Sequence, residues 1–257
     1  MPYVIYNSIE VHYNIKGNGE PLLFLHGNSG SSLYFNEEAN LLAKRFKVIL
    51  IDYPGHGKSE RLTSFPLNFW EYNARCALEL LDYLNIDKTF VISVGGGALV
   101  AFNMALLEPK KIKKIVIDNF PGEFLSSEDV ERILEKRREA LKYKGRYFYE
   151  RMHGKDFMDI LNNDEKLLCD VAEKKLQILL DDISKISIPA LFCSDMTEPD
   201  FDYSIEKTLK ASEKIKHSIV MYYSDRKFDP SLTFVNMAFN FFKNKNIDHL
   251  ISLKKQA

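Results

Sequence analysis

Few residues in this chain have the types and spacing to do chemistry. The stretch "FVISVGGGALVAF" (90–102) passes from an apolar, β-branched run through Gly95-Gly96-Gly97 into an apolar helical pattern. A strand that breaks into glycines and becomes a helix delivers either a nucleophile or a row of backbone N–H groups to a sheet edge. Ser93 is the one hydroxyl within it, and the histidines that could serve as bases are His12, His26, His56, His153, His217 and His249. Carboxylates that follow strand-like runs are Asp52, Asp118 and the group Asp195, Glu198 and Asp200 in "DMTEPD". These are the ingredients of a nucleophile, a base and an orienting acid. Phosphate chemistry fits less well. A dinucleotide fingerprint uses Gly95 and Gly97 and has Asp118 after the next strand, but its third glycine position holds Val100. It stays as a minor alternative. "GKS" at 57–59 fails as a phosphate loop, because Asp52 stands where a glycine is needed.

Bulk composition narrows the partners. The chain has 257 residues, 46% hydrophobic, and 35 basic against 36 acidic side chains leave a formal charge of −1. No overall field draws it to nucleic acid or to an acidic membrane. No apolar run has the length of a membrane span. Cys76, Cys169 and Cys193 have no short metal-ligand spacing, and an odd count makes a poor disulfide framework. The expectation is a soluble cytoplasmic protein with no metal and no cofactor.

The elements that must position these residues alternate. "MPYVIYNSIEVHYNIKG" reads as two strands, and "PLLFLHG" (21–27) and "KVILID" (47–52) as strands buried on both faces of a parallel sheet. Helices are expected over 31–46 and 68–85, then strand 89–94, helix 96–108 and strand "KIVIDN". Residues 121–184 contain helical patterns and no strand, and "SSEDVERILEKRREALKYKG" opens on serines and acids and closes on glycine. Alternation resumes at "SIPALFCS" (187–194) and ends with strand 218–223 and helix 230–244. The expected fold is α/β, a mostly parallel doubly wound sheet, with 1–120 and 185–257 as core and 121–184 as an inserted helical cap. Within the insertion, Lys and Arg interleave with Tyr143, Tyr147, Phe148 and Tyr149, a pattern that could bind single-stranded nucleic acid. A helix with one apolar face (Val130, Ile133, Leu134, Leu141) and one solvated charged face explains it better, with the aromatics lining a pocket.

Three local sequences then converge. "LFLHGNSG" puts His26-Gly27-Asn28 after one strand, "LIDYPGHGKSERL" puts Asp52 and Pro54-Gly55-His56-Gly57-Lys58-Ser59 after the next, and "VISVGGGALVAF" supplies a strand–turn–helix after the third. In this order and spacing they resemble the α/β-hydrolase superfamily over nearly the whole chain. The resemblance implies an oxyanion hole from the backbone N–H groups of Asn28 and Gly96, and a structural role for the Asp52–Ser59 loop. It also implies a nucleophile elbow of the form small-x-nucleophile-x-Gly. Val91 occupies a crowded position if Ser93 is the nucleophile, whereas the register Ser93-Val94-Gly95-Gly96-Gly97 puts small residues at both, and Pro109 follows at the family's spacing. The nucleophile position is therefore Gly95, its serine lost. Glu198 before Pro199 matches the acid position; Asp195 and Asp200 are neighbours that could compete, and Asp118 after the preceding strand is a second possible acid site. The loop that should carry the histidine, "YYSDRKFDPS", has none, and Arg226 marks the approximate place. The expectation is a non-catalytic binder of a small acyl or ester-like ligand. The alternative is a hydrolase with rearranged machinery, Ser93 or a water working with His153 or Glu198.

Overall fold

The computed structural model describes residues 2–196, 201–223 and 230–244. Its centre is an eight-stranded sheet in the order β1-β2-β4-β3-β5-β6-β7-β8. The strands are β1 (Tyr3–Tyr6), β2 (Ile9–Lys16), β3 (Glu20–Leu25), β4 (Phe46–Ile51), β5 (Thr89–Val94), β6 (Ile112–Asp118), β7 (Ala190–Asp195) and β8 (Ser218–Tyr223). β1 and β2 pair antiparallel to their neighbours, and every pairing from β4 to β8 is parallel.

The unbroken apolar runs of the central strands follow from burial on both faces. Leu22 and Phe24 of β3 point to one side, among Phe35, Ala39 and Leu42 and the last helix, α8 (Pro230–Lys243). Leu23 and Leu25 point to the other, where α2 (Phe69–Tyr83) and α3 (Gly97–Leu107) pack together. α3 is apolar on all sides because it is buried on all sides, every residue from Gly97 to Ala105 included. The helix expected over 31–46 is shorter: a single helical turn at Ser32–Phe35, then α1 (Asn36–Leu42). It stops because Phe46 is fully buried as the first residue of β4 and must be extended there.

Topology places the functional edge. From β3 the chain moves outward to β4, and α2 then carries it back past β3 to β5 on the opposite side. The loops after β3 and β5 therefore diverge at neighbouring strand ends, which is where open α/β sheets leave a crevice. Between β6 and β7 lie α4 (Ser127–Lys142), α5 (Gly145–His153) and α6 (Phe157–Glu173). A capping box starts α4: the Ser126 hydroxyl accepts from the Asp129 N–H at 3.1 Å, and the Asp129 carboxylate accepts from the Ser126 N–H at 2.8 Å. α4 ends earlier than Gly145, with the Tyr143 N–H donating to the Ala140 carbonyl at 3.1 Å, so Gly145 opens α5, where a Cβ would meet that same carbonyl. α7 (Phe201–Lys214) makes the crossover from β7 to β8. Among the described residues no helix is long and apolar enough to cross a membrane.

Candidate functional site

The turn after β5 is shaped by three glycines, each for a different reason. Gly95 has φ +51°, and a Cβ built on it meets nothing within 4 Å. Its N–H is held by the Asp118 carbonyl at 2.9 Å, which anchors the turn to the end of β6. A Cβ on Gly96 would collide with the Asn28 amide oxygen. A Cβ on Gly97 would run into the carbonyl oxygens of Leu25 and His26, so only glycine lets α3 start this close to β3. Gly95 and Gly96 open onto a cavity of about 320 Å³. Asn28 borders the same cavity, and neither the Asn28 nor the Gly96 backbone N–H has a protein acceptor among the described residues. The opposite wall comes from the helical insertion, with Arg137, Tyr149, Met152 and Leu168.

A buried polar chain crosses from the sheet to that insertion. The Trp70 indole N–H donates to Asn28 Oδ1 at 3.1 Å, and Asn28 Nδ2 donates to Asp164 Oδ1 at 3.2 Å. Arg137 donates to the other Asp164 oxygen and to the Leu161 carbonyl at 3.2 Å. Asp164 is fully buried and Arg137 is 6% exposed. Burial works against the guanidinium's charge, but the charge and hydrogen bond of Asp164 outweigh it and raise its pKa. Both residues sit on otherwise apolar helix stripes: Arg137 follows Val130 and Leu134, and Asp164 lies between Ile160 and Leu167. That placement is the sequence signal for the pair, and assigning the charges of α4 to a solvated face misses it.

Histidines and Asp52 hold the loops beneath the cavity. His26 Nε2 accepts from the Tyr53 N–H at 3.1 Å, so its Nδ1 proton goes to the Gly27 carbonyl at 2.8 Å. His56 Nε2 donates to the Asn28 carbonyl at 2.6 Å. Burial keeps both rings neutral, lowering His26 to about 4 and His56 to about 3. Asp52 accepts from the N–H groups of Ser32 at 2.6 Å and Lys58 at 2.9 Å and pairs with His12 Nδ1 at 2.9 Å. Burial would raise this carboxyl's pKa, yet these hydrogen bonds hold it well below the usual range. The Ser59 hydroxyl donates to the Asp52 carbonyl at 2.6 Å. Asp52 and Ser59 thus serve the loop itself.

A family model described as the alpha/beta hydrolase fold matches residues 20–151, just over half of the chain. The chain belongs to the α/β-hydrolase family. Among curated relatives of this α/β-hydrolase, a 2-hydroxy-6-oxononadienedioate/2-hydroxy-6-oxononatrienedioate hydrolase of Dechloromonas aromatica is 36% identical over 116 residues, 42% of this chain and 39% of the relative. Haloalkane dehalogenase 2 of Mycobacterium tuberculosis is 28% identical over 127 residues, 48% of this chain and 44% of the relative. The matched stretches thus span less than half the length of these relatives. MGS-M2, an alpha/beta hydrolase enzyme from a Medee basin deep-sea metagenome library, superposes with a TM-score of 0.73 at 16% identity, covering 95% of this chain and 98% of that one. At that identity the likeness is one of fold.

On this α/β-hydrolase scaffold, Asn28, Gly95 and Gly96 come together at the cavity. Glu198 and Arg226 lie outside the described residues. The rearranged pair of Ser93 and His153 does not form. Ser93 is fully buried in β5, and its hydroxyl donates to the Val116 carbonyl at 3.1 Å. His153, 3% exposed, accepts from the Gly57 N–H at Nδ1 (3.0 Å) and meets the Ser29 carbonyl through Nε2 at 3.1 Å, so both ring nitrogens are spent on holding α5 to the core. Of the insertion's aromatics, Phe148 and Tyr149 line the cavity, while Tyr143 and Tyr147 are each 72% exposed. The dinucleotide alternative lacks its third glycine, Val100 being buried against the sheet, and its acid Asp118 accepts from the Tyr223 hydroxyl at 3.2 Å. Trp70, Arg137 and Asp164 are the site residues that sequence reasoning missed.

Proposed function

We propose that this chain holds a small acyl or ester-like molecule in the cavity and does not turn it over. It would be a non-catalytic member of the α/β-hydrolase family, with 1–120 and 185–257 as core and 121–184 as a cap. The reading rests on Gly95. The family's elbow puts its nucleophile on the strained strand-to-helix turn, with the side chain aimed into the pocket. Gly95 has the positive φ of that position and open space where the side chain would stand, but no atom to attack with.

Further support comes from the base. The segment 224–229, where the family carries its histidine, reads "SDRKFD", and Arg226 stands in for the lost residue. Glu198 is the retained acid position. With His153 committed to Gly57 and Ser29, no imidazole among the described residues faces the cavity to activate a serine or a water. What remains is an apolar pocket with backbone N–H groups at Asn28 and Gly96, suited to a carbonyl oxygen. The relatives named above act on small molecules, in keeping with such an occupant.

A fluorophosphonate probe and a panel of short-chain aryl esters test this. The wild type is expected to be inert, and the Gly95→Ser, Arg226→His double variant to gain labelling at residue 95. Wild-type labelling mapped to Ser93, or to the cavity-lining Ser29, and lost when that serine becomes alanine, would overturn the reading.

A further inference from the structure

Arg137 is the one charged residue among the described residues that border the cavity. A lone guanidinium in an apolar pocket would demand an anion, and carboxylate would be the obvious ligand. Its surroundings reverse that expectation. Asp164, fully buried, pairs with it and does not itself border the cavity. The charge is therefore compensated inside the protein before any ligand arrives. Of the five guanidinium hydrogens, Asp164 and Leu161 take two, and the other three have no acceptor among the described residues. The cavity is thus bordered by the cationic half of an ion pair that has hydrogens to spare. The Trp70 indole and the Asn28 amide are already committed to the same chain of hydrogen bonds and bring no net charge.

We propose that Asp164, by neutralising Arg137 at the cavity wall, makes this site select a neutral carbonyl compound over a carboxylate of the same shape. A ketone, ester, lactone or amide oxygen accepts the spare guanidinium hydrogens and adds no charge. A carboxylate would be the second anion on one cation, and the site would bury a net negative charge among Leu99, Leu125, Ile133 and Met152, with only the dipoles of the Asn28 and Gly96 N–H groups and no second cation to offset it. Asp164 is thus a specificity-determining residue that acts through Arg137. The inference rests on the reading that the cavity is the ligand site.

The test uses phenylbutanoate and its methyl-ketone isostere, in which CH3 replaces O−. Neither can be hydrolysed, so residual turnover does not enter. By calorimetry at about pH 7.5, where the acid is fully ionised, the wild type is expected to bind the ketone at least about tenfold more tightly. Asp164→Asn keeps the shape, frees the guanidinium's charge and is expected to reverse the preference. A wild type that prefers the carboxylate overturns the inference, as does an Asp164→Asn variant with an unchanged ratio. The wild type also decides alone should the variant misfold. Only the protonated acid should enter, so the apparent affinity for phenylbutanoate rises by roughly tenfold for each pH unit between about 7.5 and 5.5, with the ketone flat as control. An acid affinity that does not rise over that range counts against the proposal. Binding of neither compound at any pH overturns the ligand-site reading itself, and the selectivity with it.

Discussion

Three adjacent glycines at one turn are under different constraints, and substitution should separate them. Gly95→Ala meets no atom, so it costs only what an L-residue loses at positive φ, about 1 kcal/mol. Gly97→Ala drives a methyl into two backbone carbonyls that belong to the end of β3 and cannot step aside. Its expected cost is several-fold larger, about 3 kcal/mol or more, in the range of overpacked cores. Gly96→Ala falls between, because its obstacle is a side-chain amide that can move only by releasing Trp70 and Asp164. Urea denaturation of the three variants reads the order directly, and a Gly95→Ala as damaging as Gly97→Ala would contradict it.

At the scale of elements, the helical insertion is fastened to the sheet at a few points. His153 ties the end of α5 to Gly57 and Ser29. Beside it, Arg61 reaches from the core to the Asp156 carboxylate at 2.6 Å and to the His153 carbonyl at 2.5 Å. The Arg61–Asp156 pair is well exposed and contributes little by itself. The imidazole matters more, since its loss leaves a buried Gly57 N–H without a partner. His153→Phe is expected to cost about 2 kcal/mol. Hydrogen exchange over 145–157 should speed up more than exchange in β3 or β5. Equal acceleration throughout would mean that His153 serves global packing and not this fastening.

Over the whole molecule, acid should act through the buried histidines. His26, lowered to about 4, and His56, lowered to about 3, stay neutral in the fold while the unfolded chain protonates near pH 6.5. The unfolded state therefore binds more protons below that point, and stability falls as pH drops from about 6.5 towards 4. Above about 6.5 these groups contribute no slope. Asp52, held ionised by its hydrogen bonds, adds a further loss in the same direction once pH falls below its ordinary range. Thermal midpoints between about pH 7.5 and 4.5 should be flat in the upper part and decline in the lower. A His56→Gln variant should flatten part of that decline.

Much of this molecule was legible in one dimension because its signals are local. Apolar runs that end in His26-Gly27, Asp52 and Gly95 announce parallel strands with functional C-terminal ends, and the crowded register Ser93 to Gly97 points to the turn before any coordinates do. Absence is legible too: no histidine stands between Tyr223 and Pro230. Other features depend on contacts between distant residues. Ser93 looks available in the sequence, but the β5–β6 register buries it under the Val116 carbonyl. Likewise His153 looks free until α5 docks. Arg137 and Asp164 read as ordinary helix charges, and only the packing of α4 on α6 brings them together and presents one of them to the cavity. The sequence by itself determined the sheet, the family's turn and the glycine at its centre, since each follows from residues a few positions apart. The tertiary structure alone decided what the pocket offers a ligand, because burial and charge compensation exist only once segments more than a hundred residues apart are in contact, as Asn28 and Asp164 are.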